Sequence, residues 1–120
     1  MNMKRNCIIF LVLFLSVMFG YGNNGTIAEG RIEGKPDKSN ESTVFAYLVD
    51  ETVQIEFLEE YNGITITIED SYGAVVYYNV INTTAGMVYS IDVSNLGTGN
   101  YLLKVKSKSG GEISGYFYLK

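Results

Sequence analysis

The chain has no histidine and no tryptophan, and only one cysteine and one proline, in 120 residues. Without histidine it lacks the commonest general base and metal ligand, and no serine lies in a nucleophile-elbow or lysine-paired motif. A single cysteine, Cys7, rules out an internal disulfide. Basic residues are scarce as well: nine against thirteen acidic ones, with no basic stretch flanked by stacking aromatics, so binding to DNA or RNA is not expected. No apolar run reaches the roughly 20 residues of an ordinary membrane-spanning helix. A helical period is missing throughout.

The longest apolar run is Cys7 to Phe19, interrupted only by Ser16, and it follows Lys4 and Arg5 and leads into Gly20-Tyr21-Gly22. Charge before a short apolar stretch and small residues after it are the marks of a secretory signal peptide. Residues 1–22 are expected to be removed, with the mature chain starting near Asn23. Cleavage takes away Cys7, Lys4 and Arg5, so seven of the nine basic residues remain against all thirteen acidic ones. A lipid-anchoring cysteine would follow the apolar run, whereas Cys7 opens it, so the product is expected to be unlipidated, with no membrane span. Its expected place is outside the cell or in the periplasm, with association to the cell surface as one form of that. A chain of this size can bury roughly two thirds of its unfolded surface, enough to fold without disulfides.

Residues 23–42 hold only Ile27, Ala28 and Ile32 as aliphatics among polar residues, glycines and Pro36. They read as a flexible N-terminal arm with a short strand around Thr26 to Glu29. From Thr43 onward, short apolar runs alternate with turn clusters about every ten residues, the spacing of an all-β sandwich. Strands are expected at Thr43 to Val49, Thr52 to Leu58, Ile64 to Glu69, Ala74 to Val80, Met87 to Val93, Asn100 to Lys106 and Glu112 to Leu119. The clearest is the third, in which Ile64, Ile66 and Ile68 alternate with Thr65, Thr67 and Glu69. Asp70-Ser71-Tyr72-Gly73 then makes an Asx-type turn, its glycine free to take positive φ. Seven strands over residues 43–120 imply two packed antiparallel sheets.

Leu96-Gly97-Thr98-Gly99-Asn100-Tyr101 narrows the class. In immunoglobulin-like sandwiches a tyrosine near the start of the sixth strand turns back so that its hydroxyl bonds backbone a few residues upstream. Tyr101 stands at that place, with Leu96 set to plug the end of the sandwich. The wider pattern, Ile64-x-Ile66-x-Ile68-x-Asp70-x-x-Gly73-x-Val75-Val76, then Tyr89-x-Ile91-x-Val93-x-x-Leu96-x-x-Gly99-x-Tyr101-x-Leu103-x-Val105, ending in Gly111 and Gly115-Tyr116-Phe117, resembles the small secreted immunoglobulin-like proteins of unknown function from Bacteroidetes. It is also similar to the C-terminal sorting domains that carry cargo through the surface secretion system of those bacteria. The resemblance implies a seven-stranded immunoglobulin-like antiparallel β-sandwich and assigns no functional residues. If the source is bacterial, the glycosylation patterns at Asn24, Asn40 and Asn82 are chance matches.

The remaining candidates for chemistry are carboxylates and aromatics. Glu59-Glu60 lies between the second and third strands, and Asp50-Glu51 and Glu69-Asp70 lie in turns at the opposite end of the sandwich. Paired acids could run glycoside hydrolysis, and oxygen-rich turns could hold calcium. Solubility and turn geometry account for such residues more simply. No enzyme activity, cofactor or metal is therefore expected. Ten tyrosines and six phenylalanines, of which Tyr21, Phe10, Phe14 and Phe19 fall in the leader, exceed what a core of this size needs. By alternation Tyr116 and Tyr118 point outward beside Lys104 and Lys106 of the neighbouring strand. These four residues form the candidate contact face for a glycan or protein partner, and their positive charge on an acidic chain favours an acidic one. Cross-strand tyrosine and lysine pairs that merely stabilise a solvated sheet have the same pattern.

Overall fold

The computed structural model describes residues 25–32 and 42–120. The expected signal peptide, the arm residues 23, 24 and 33–41, and with them the asparagines of the Asn24 and Asn40 glycosylation patterns, lie outside them. Eight strands form: β1 Gly25–Gly30, β2 Val44–Val49, β3 Thr52–Phe57, β4 Tyr61–Glu69, β5 Val75–Thr83, β6 Met87–Asp92, β7 Gly99–Lys106 and β8 Glu112–Leu119. They make two antiparallel four-stranded sheets, in the orders β1-β2-β3-β6 and β5-β4-β7-β8. The immunoglobulin-like sandwich is present with eight strands rather than seven. The additional one is β1, the short strand expected within the arm, which pairs with β2 from Gly25↔Leu48 to Gly30↔Val44.

Alternation places the core where the sequence pattern puts it. Val53, Ile55 and Phe57 of β3, Ile64, Ile66 and Ile68 of β4, and Leu103 and Val105 of β7 are fully buried between the sheets. On β6 the inward row is buried only at Ile91, since Met87 and Tyr89 lie half-buried at the sandwich margin. The β4–β5 turn forms through Asp70, whose Oδ1 accepts the amides of Tyr72 and Ala74 at 2.9 Å each, while Gly73 takes φ 85°. At the other end, the Thr43 and Tyr61 hydroxyls bond at 2.6 Å, and Thr83 Oγ1 accepts the Tyr61 amide at 2.9 Å.

The two lateral sides of the sandwich differ. On one, β1 lies directly against β8. A Cβ at Gly115 would stand 2.0 Å from the Ile27 carbonyl oxygen and one at Gly111 only 1.7 Å from that of Ile32, so only glycine admits this approach. Ser107 Oγ also donates to the Ile32 carbonyl at 3.0 Å, and Ile32 is fully buried. On the other side β5 and β6 meet through side chains: the Tyr77 and Tyr89 hydroxyls bond each other, and Asn79 Nδ2 donates to the Tyr89 hydroxyl at 2.7 Å. Burial and the Tyr89 hydroxyl push the Tyr77 phenol up to about 12.

The tyrosine corner is formed. The Tyr101 hydroxyl donates to the Gly97 carbonyl at 2.7 Å, the Tyr101 ring stacks on Phe117 at 5.6 Å, and Leu96 packs against the core. Tyr101→Phe keeps the ring and removes the bond, so it is expected to cost about 0.5 to 1.5 kcal/mol in a urea unfolding titration. A change larger than that range would show that the ring is displaced as well.

Candidate functional site

The four predicted site residues lie on β7 and β8, which pair from Gly99↔Leu119 to Lys106↔Glu112. Ile113, Phe117 and Leu119 anchor β8 in the core, and alternation turns Ser114, Tyr116 and Tyr118 out. Tyr116 is 72% exposed and Tyr118 49%, on one face of the strand, two residues and hence about 7 Å apart along its backbone. Tyr116 stands across from Leu102, and Tyr118 from Asn100. Lys104 lies across from Ser114 on one side and Thr67 on the other, and Lys106 across from Glu112 and Thr65. The fold thus brings all four residues to the outer face of the β5-β4-β7-β8 sheet.

The electrostatics of this face differ from the expected local reversal of charge. Lys104 Nζ sits 3.0 Å from Glu69 Oε2, reaching diagonally to β4, and the Glu69 carboxylate raises the lysine above its ordinary value. Lys106 is directly opposed by Glu112. Each cation is therefore matched by a carboxylate on an adjacent strand, and the face is balanced rather than positive. The outer face of the β1-β2-β3-β6 sheet contrasts with it. There Glu29, Glu56 and Asp92 face solvent without a described lysine or arginine on those strands, and the Tyr47 hydroxyl is engaged with Glu56 at 3.3 Å. Burial, followed by the Glu56 charge, pushes the Tyr47 phenol up to about 12.

The balanced face is wider than the sequence reading had it. Tyr78, 64% exposed, and Val80, 50% exposed, extend the face onto β5 by way of Thr67 and Thr65, their register partners on β4. No alternation signals them, because Val75 to Val80 is apolar or aromatic on both faces apart from Asn79.

Several of the acidic residues are used structurally. Glu59 accepts Arg31 Nη2 and the Tyr61 hydroxyl, each at 3.4 Å. Asp70 caps its turn, and Asp92 Oδ1 accepts the Ser94 amide at 2.9 Å; hydrogen bonding to the Ser94 side chain first, and then to this amide, lowers the Asp92 carboxyl. Asp50 takes the left-handed region, φ 57°, in the turn between β2 and β3. Among the described residues no three or more acidic, histidine or cysteine side chains gather where they could hold a metal ion. Nor is any helix among them long and apolar enough to cross a membrane.

Two facing antiparallel sheets closed by a tyrosine corner define an immunoglobulin-like β-sandwich. The chain belongs to the family described as Domain of unknown function (DUF3244), whose model matches residues 25–119, from the first residue of β1 to the last of β8. It is similar to the crystal structure of a DUF3244 family protein with an immunoglobulin-like β-sandwich fold from Bacteroides vulgatus ATCC 8482. That similarity has a TM-score of 0.65 and 21% identity, covering 81% of this chain and 99% of the other. At that identity it establishes the fold. No curated protein matches the chain.

Proposed function

We propose that this chain is an exported, non-catalytic binding module whose contact surface is the outer face of the β5-β4-β7-β8 sheet and whose partner is a glycan. The carrying observation is the pair of exposed rings, Tyr116 and Tyr118, on a charge-balanced sheet. Tyrosine offers a large apolar ring with a polar tip, and two rings on one strand face suit an extended chain of sugar units. Asn100, Ser114 and Lys104 lie beside them, with Thr67 on the next strand, and offer hydroxyl, amide and ammonium groups able to bond sugar hydroxyls. Because Glu69 and Glu112 offset Lys104 and Lys106, neutral glycans fit better than strongly acidic ones.

Export is supported by Lys4 and Arg5 ahead of the Cys7 to Phe19 run. The non-catalytic reading is supported by the lack of histidine and by the structural use of Glu59, Asp70 and Asp92. The secretion-sorting alternative rests on the sequence resemblance alone.

Calorimetry against a panel of neutral and acidic polysaccharides tests the proposal. Replacing Tyr116 and Tyr118 by serine is expected to weaken binding at least tenfold, about 1.4 kcal/mol, with the thermal midpoint nearly unchanged because both rings face solvent. Unchanged affinity in the double variant would move the site elsewhere, and tighter binding of acidic polymers would refute the balanced-face argument.

A further inference from the structure

The sheet edges are protected unequally. On one side of the sandwich, β1 closes on β8 at Gly115, and the chain just beyond β1 closes on Gly111 just before β8. On the other, β5 is the terminal strand of its sheet and carries neither lysine nor proline, the usual guards of an open edge. From Ser71 to Ile91, through β5 and β6, the chain has no charged side chain at all, although its net charge is −4. Val75, Tyr78, Val80 and Val88 are all exposed there.

The backbone of β5 is oriented for pairing. The Val80 amide donates to the side chain of its own neighbour, Asn79 Oδ1, at 2.9 Å. Successive residues of an antiparallel strand direct their N–H and C=O groups alternately to the two flanking positions. The Val80 amide thus faces away from β4, and the Tyr78 N–H and C=O share that open side. The register with β4 is regular from Tyr77 to Ile81 and irregular beyond both ends.

From these observations we infer that β5 is the self-association edge of this protein and that its occupant is β5 of a second copy, antiparallel about a twofold axis at Asn79. In that register Tyr78 of one copy exchanges both backbone bonds with Val80 of the other, and again on the far side of the axis. Asn79 Oδ1 occupies the position of the partner carbonyl until the second copy arrives. On the outer face, each Tyr78 ring lies against a Val80, an aromatic and β-branched cross-strand pair of the favourable kind. A second copy fits better than a charged partner because a twofold contact sets each stretch against itself. An uncharged stretch meets no like charge in doing so, whereas elsewhere the acidic surface repels a copy. The two sheets become one continuous eight-stranded sheet with both outer faces on the same side. This pairing does not depend on what that face binds.

Sedimentation velocity over a concentration series, with amide hydrogen exchange at Tyr78 and Val80, tests the inference. A monomer–dimer equilibrium is expected, with both amides exchanging more slowly as concentration rises. Raising the salt concentration should not weaken it, since screening reduces the repulsion between acidic copies. Tyr78→Lys with Val80→Lys, at two exposed positions, should weaken dimerisation at least tenfold while leaving the circular dichroism spectrum unchanged. If that variant does not fold, the exchange data on the unaltered protein decide. A monomer at the highest attainable concentration, a dimer that survives both lysines, or assembly beyond the dimer would each overturn the inference. Protection of these amides only by a foreign extended peptide would assign the edge to another partner and overturn it too.

Discussion

Ile66→Ala is expected to lower the unfolding free energy by about 2 to 5 kcal/mol, read as a fall in the denaturant midpoint at constant slope. Ile66 is fully buried at the centre of β4, between Asn79 of β5 and Val105 of β7. Truncation removes the branched side chain from a rigid, close-packed region where both neighbouring strands hold the backbone in place. The cavity has little freedom to collapse, which puts the cost well above simple transfer. Thr67→Ala, one residue along on the outer face, supplies the control and should change stability by no more than about 0.5 kcal/mol. Equal effects at the two positions would mean that the faces of β4 are reversed.

Gly115→Ala tests the closed side of the sandwich. The added methyl would stand 2.0 Å from the Ile27 carbonyl oxygen, which belongs to backbone and cannot turn aside. Either β8 shifts within its sheet or β1 leaves. We expect a loss of about 1 to 3 kcal/mol, with β1 yielding first because it is an edge strand held mainly by β2. Hydrogen exchange should then quicken in Gly25–Gly30 while β4 and β7 stay protected. Gly25→Ala, where no atom lies within 4 Å of the added carbon, should leave exchange unchanged. Uniform loss of protection would instead make β1 part of one cooperative unit with the core.

The two substitutions sample different kinds of information. Ile66 is legible as core from its own neighbours, because side chains two apart on a strand share a face. Ile32 is not: it has no alternating companions, and its burial follows from Gly111, just before β8, and Gly115 within it standing where the chain around Ile32 and Ile27 comes close. The candidate face divides in the same way. The outward directions of Tyr116 and Tyr118 follow from alternation about Phe117, but the partners of the lysines do not. Glu69 and Lys104 meet because β4 and β7 are adjacent in the sheet, and without that adjacency the two lysines read as a positive patch.

The sequence by itself determined the strands, the Asp70 turn and the tyrosine corner. Each depends on residues a few positions apart, whose steric and hydrogen-bonding preferences act before distant parts of the chain meet. Only the tertiary structure decided that β1 joins the sandwich, that each lysine on the outer face has a carboxylate beside it, and that the uncharged strand β5 ends its sheet. Those outcomes depend on which distant strands lie side by side. A period of two within one strand specifies its faces but not its neighbours, and the neighbours set both the charge of the face and the exposure of the edge.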